Sequence, residues 1–172
     1  MTGTTIAQAL PIAISPILTR IYSPEDFGLL ALFVAISATL GSIASAKYEL
    51  AIMLPELDED AINIAALGVL ISVGLSCALF IIIFFLNSEI SEFLGAKDIS
   101  LWLYLIPLVV LLTAFYNVLN YLNTRKKLYP SLARASVYRS VVGASFQLLL
   151  GYLKFGGGGL IIGQIVSVCV AN

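Results

Sequence analysis

The chain has 172 residues, of which 60% are hydrophobic and 11% charged, with nine basic and ten acidic side chains. This excludes a soluble globular domain, and the near-neutral balance gives no footprint for nucleic acid and no polybasic arm. Histidine is absent, which removes the commonest general base and metal ligand, so hydrolytic, metal and other intramembrane enzyme chemistry is not expected and no cofactor is implied.

Continuous apolar blocks predict an all-α, polytopic transmembrane helix bundle of about six spans. The spans are drawn at about 3–20, 25–46, 61–86, 100–123, 134–154 and 157–172, the last still apolar where the sequence stops and short of the roughly 20 residues that cross a bilayer. The C-terminal span is therefore expected to be incomplete. A β-barrel would need segments of about ten residues with alternating polarity, which these blocks lack.

In the first span Thr4, Gln8, Ser15 and Thr19 fall on one side, with Pro11 near them. Ser23-Pro24-Glu25-Asp26 then reads as a helix start: a capping serine, a proline at the first helical position and an acid three residues after the cap. In the second span Ser37, Gly41 and Ser45 recur every four residues, a spacing that lets helices approach closely. Pro55 ends what precedes the third span, and Glu56, Asp58, Glu59 and Asp60 suit the positive end of its dipole. Gly68, Ser72 and Ser76 form a second small-residue seam, while Phe84 and Phe85 are expected against lipid or apolar neighbours.

The fourth span places Thr113, Asn117, Asn120 and Thr124 on one face, and the fifth aligns Ser136, Ser140, Gly143 and Gln147. Amides face lipid at high cost, so Gln8, Asn117, Asn120 and Gln147 are expected to point into the bundle, bonding between helices or lining a shared watery path. The sixth span carries the seam Gly159, Gly163, Ser167 and Ala171. Gly156 to Gly159 read as a turn, and no lysine follows them as a phosphate loop requires. Cys77 and Cys169 lie in apolar blocks and behave as small hydrophobes.

The positive-inside bias puts the N-terminus in the cytoplasm. The second-to-third and fourth-to-fifth connections then hold Lys47, Arg125, Lys126, Lys127, Arg134 and Arg139, against Arg20, Lys97 and Lys154 on the other side. Among these, Arg20, Lys47 and Arg139 are the candidates for contact with an anionic substrate group.

The run Pro16-Ile-Leu-Thr-Arg20-Ile-Tyr-Ser-Pro24-Glu-Asp-Phe-Gly28-Leu-Leu-Ala-Leu-Phe33, followed by Lys47-Tyr-Glu-Leu-Ala-Ile-Met-Leu-Pro55, resembles the beginning of bacterial oligosaccharide flippases. These belong to the multidrug/oligosaccharidyl-lipid/polysaccharide exporter superfamily. The resemblance implies a two-lobe transporter of roughly twelve to fourteen helices, of which this chain supplies the N-terminal lobe. It further implies a bacterial plasma-membrane protein that flips undecaprenyl-diphosphate-linked oligosaccharide between leaflets for surface polysaccharide such as O-antigen. The implied partners are the lipid-linked oligosaccharide, membrane lipid and a C-terminal lobe or partner helices. A multidrug exporter half is the alternative within the superfamily, disfavoured because every acid lies at a span boundary or in a loop. A non-transporting scaffold subunit, binding partner helices through its small-residue seams, is the alternative outside it.

Overall fold

The computed structural model describes residues 2–44, 48–55 and 57–171. Lys47, Ser45 and Glu56 lie outside the described residues, as do the side chains of Thr4, Glu49, Lys97 and Ala171. The elements are α1 (Thr2–Ile21), α2 (Pro24–Ala44), α3 (Tyr48–Ala51), α4 (Asp58–Phe93), a 3₁₀ turn (Lys97–Ile99), α5 (Ser100–Leu103), α6 (Ile106–Arg125), α7 (Tyr129–Tyr152) and α8 (Gly157–Ala171). Among the described residues there is no strand, and the protein is an all-α membrane helix bundle.

Among the described residues three stretches are long and apolar enough to cross a membrane: Pro24–Ile43 of α2, Asp58–Phe93 and Ile106–Arg125. Shorter apolar stretches occupy Ala7–Ile21 and Gly157–Val170. Of the six spans expected, α7 has the length but not the apolarity, because Arg134, Ser136, Arg139, Ser140 and Gln147 dilute it.

The chain folds as two compact units. One comprises Met1–Leu32 with Tyr129–Asn172, and the other Phe33–Leu128. In the first, α7 packs against both α1 and α8. Its core is Leu18, Tyr22 and Leu160, with Ile14, Phe27, Leu30 and Leu148 around them. The start of α2 is capped as its sequence predicts: the Asp26 N–H donates to Ser23 Oγ (3.3 Å) and the Ser23 N–H donates to Asp26 Oδ2 (2.9 Å).

In the second unit α4 packs on α6, and the short α3 touches both. Ile52, Ala61, Ala65 and Val118 form its core. The α4 seam is buried as expected, and the Ser76 hydroxyl donates to the Pro107 carbonyl at 2.7 Å. At Gly41 the α2 seam makes no close contact, because a Cβ added there would meet nothing within 4 Å among the described residues. The fourth span is also broken where a continuous helix was expected at about 100–123. Pro107 has no N–H for the Leu103 carbonyl and its ring crowds that turn, so α5 ends at Leu103 and α6 starts anew at Ile106.

The helix α4 has 36 residues, about 54 Å, and overruns both ends of the expected 61–86. Its far end stays helical because polar groups hold it. Asn87 Nδ2 donates to the Ser100 carbonyl (2.9 Å) while Ser100 Oγ donates to Asn87 Oδ1 (2.8 Å). At the near end Arg125 of α6 gathers the chain before α4. Its Nη1 donates to the carbonyls of Ile52 (3.2 Å) and Pro55 (2.6 Å), and its Nε to Asp58 Oδ1 (2.9 Å).

Candidate functional site

The site forms in the first unit and begins with a proline. Pro11 cannot donate to the Ala7 carbonyl, and in a membrane a carbonyl without a partner is costly. Ser140 of α7 supplies the missing donor, its hydroxyl 2.7 Å from that carbonyl. The helices α1 and α7 are thereby pinned at a defined register.

Glycines bring α8 onto the same face of α7. A Cβ on Gly143 would lie 2.9 Å from Ser167 Cβ, and one on Gly163 would lie 2.5 Å from Gln147 Cγ. Only hydrogen fits at either place. Near the end of α1, Tyr22 occupies the gap left by two further glycines. A Cβ on Gly151 would stand 2.7 Å from its ring, and one on Gly159 would stand 2.7 Å from its hydroxyl. That hydroxyl donates to the Gln147 carbonyl at 2.6 Å. Burial, and secondarily the charge of Asp26, push the Tyr22 phenol above its ordinary pKa.

What remains between α1, α7 and α8 is a cleft of about 230 Å³. Pro11, Ile14 and Leu18 form an apolar wall from α1. Opposite stand Arg139, Ser140 and Gln147 of α7 and Gln164 and Ser167 of α8. Positions 139, 140, 143, 144 and 147 share one face of α7, so a single helical stripe delivers a guanidinium, a hydroxyl and an amide. Arg139 is half-buried and engaged by other groups of the protein. Gln147 Nε2 reaches the Leu160 carbonyl only at 3.5 Å, a weak bond that leaves its amide adaptable. Such a lining offers several donors to an oxygen-rich, anionic or polyhydroxylated group, beside a wall suited to hydrocarbon.

The expected site residues that are described fall in both units. Arg139 and Gln147 line the cleft. Gln8 is exposed on α1, and Arg20 is exposed in the last turn of α1, where a cation suits the helix dipole. Asn117 and Asn120 belong to the other unit, on α6, where both are half-buried. Asn117 has partners there, and the Asn120 carbonyl accepts from the Thr124 hydroxyl at 2.7 Å. From the α7 stripe, Ser140, Gly143 and Gln147 reach the cleft, while Ser136 is not part of its lining. Gln164 also lines the cleft and is not among the residues singled out by the sequence, because the small-residue seam dominates the pattern of α8. An amide next to Gly163 in an apolar run was the available signal.

The sequence profile described as polysaccharide biosynthesis protein matches residues 17–171. The chain belongs to the polysaccharide biosynthesis protein family. Comparison with curated proteins and with solved structures gives no match. The family match begins on α1 just before Leu18 and takes in every α7 and α8 residue of the cleft. This member of the polysaccharide biosynthesis protein family thus carries its arginine and paired amides inside the family's own span.

Proposed function

We propose that the chain is the N-terminal lobe of a transporter that flips undecaprenyl-diphosphate-linked oligosaccharide across the bacterial plasma membrane, working with a second helical lobe and without catalysing a reaction. The observation that carries this reading is the cleft, where Arg139, Gln147 and Gln164 face an apolar wall inside a membrane bundle. Family membership gives the process, polysaccharide biosynthesis. An arginine lining a cleft with an apolar wall argues for an anionic cargo, and amides and hydroxyls beside it suit phosphate oxygens or sugar hydroxyls. The lipid tail of such a cargo remains in the bilayer, so the protein needs to shelter only the head. The positive-inside bias supports a cytoplasmic N-terminus and a cytoplasmic Arg125–Lys127 connection, the side on which such a cargo is loaded.

The test is complementation of a strain lacking its repeat-unit flippase with the gene that carries this chain, read as surface polysaccharide at matched membrane expression. The Arg139→Gln, Gln164→Leu double variant is expected to lose at least about tenfold, the equivalent of one charge-assisted hydrogen bond. Arg139→Lys retains part of the output, since charge survives and only the planar fork is lost. Full output from the double variant would remove the cleft from the transport path.

A further inference from the structure

A second groove lies in the other unit, between the beginning of α4 and the end of α6, with a volume of about 280 Å³. Both helices are membrane-crossing by length and apolarity, so the groove sits where hydrocarbon gives way to headgroups. Its lining changes character along that direction. Ile62, Leu119 and Leu122 supply its apolar lining, with Ile62 exposed, and Asn123, Arg125 and Lys126 supply its polar lining. Leu119, Leu122 and Asn123 of α6 and Lys126, the residue that caps its end, are related by three- and four-residue steps, so one side of the helix end runs from apolar to basic within about two turns.

The charge arrangement favours an anion. Asp58 is the acid among the lining residues, and it is 2.9 Å from Arg125 Nε. Arg125 is held by that acid and by the Ile52 and Pro55 carbonyls, so its guanidinium is fixed in place and cancels Asp58. Lys126 is exposed and adds a positive charge, with Lys127 next to it. Glu59 and Asp60 sit on the first turn of α4 outside the lining.

We propose that this groove is a binding site for an anionic phospholipid, whose phosphate is held by Lys126 and Asn123 and whose upper acyl chain lies against Ile62, Leu119 and Leu122. Basic pockets between membrane helices select anionic headgroups through such juxtaposition of charge and hydrocarbon. The site is separate from the Arg139 cleft and stands independently of the transport reading.

The test uses the purified full chain in mild detergent, titrated with phosphatidylglycerol, phosphatidylethanolamine or inorganic phosphate, with thermal unfolding and native mass spectrometry as readouts. Phosphatidylglycerol is expected to raise the unfolding temperature and remain bound, whereas phosphatidylethanolamine and inorganic phosphate do neither. Lys126→Gln should weaken phosphatidylglycerol binding about fivefold, the share of one basic residue near a lipid surface. Ile62→Trp, which fills the apolar part, should abolish it. Lys154→Gln, at an exposed cation in the other unit, should leave it unchanged. Equal stabilisation by inorganic phosphate, unchanged binding in the Lys126 variant, or an equal loss in the Lys154 variant would each overturn the proposal.

Discussion

Tyr22 shows how one side chain joins several helices of a unit. It is 5% exposed, fills space left by Gly151 and Gly159, and gives its proton to the Gln147 carbonyl. Tyr22→Phe is expected to cost about 1 kcal/mol, the worth of one hydrogen bond. Gly159→Ala should cost about 1–3 kcal/mol through overpacking, because the new methyl would meet the tyrosine oxygen at 2.7 Å. Combining the two should cost less than their sum, since Phe removes that oxygen, although Leu150 Cβ at 2.9 Å keeps the rescue partial. Thermal unfolding of the four proteins decides this. Alkaline pH adds a second check. The folded phenol has a raised pKa, so its stabilising contribution is intact below the ordinary value of 10.0 and is lost as pH climbs through the raised value. Unfolding temperature should therefore fall more steeply above about pH 10 in the parent than in Tyr22→Phe. None of this was legible in the sequence, where Tyr22 is one aromatic beside a turn and its partners are over a hundred residues away.

At the scale of helices, the sequence revealed where apolar segments lie and the stripe on α7, because both follow from residue order and the 3.6 period. It did not reveal the far end of α4 or the break before α6. Asn87 and Ser91 look like the end of a span until Ser100 is seen bonded to Asn87, and Pro107 looks tolerable in a helix until the preceding turn is traced. The α1–α7 pin gives a sharp expectation. Ser140→Ala should cost roughly 1–2 kcal/mol by orphaning the Ala7 carbonyl. In a Pro11→Ala background the same change should cost much less, because the restored N–H of residue 11 can reach that carbonyl within α1. The Arg125 knot separates strong from weak bonds. Arg125→Ala should cost about 2–3 kcal/mol through two carbonyls that lose a charged donor, whereas Asp58→Asn should cost under about 1 kcal/mol, since its carboxylate is 72% exposed. Chemical denaturation in detergent compares the two.

For the whole molecule, the membrane bundle was readable from hydropathy alone, and the split into two units was not. That split depends on which helices pack, information that no local pattern carries. Orientation can be measured directly. In a variant with Cys77 and Cys169 replaced, a cysteine at Leu128 should resist an impermeant thiol reagent in intact cells and react after permeabilisation, while one at Asp98 should react at once. Rapid labelling at 128 in intact cells would invert the topology.

The first unit is assembled from the two ends of the chain and the second from its middle. The bond from Ser140 to Ala7 therefore joins positions 133 residues apart. At the usual pace of translation the ribosome needs roughly 7–27 s to cover that distance. Throughout that interval the Ala7 carbonyl of α1 lacks its Ser140 donor, and neither its own helix nor hydrocarbon can satisfy it. The nascent first helix must stay near water or the insertion machinery until α7 emerges, and the middle of the chain is synthesised while it waits. Biogenesis thus closes the Arg139 cleft only after the unit between α1 and α7 has been made.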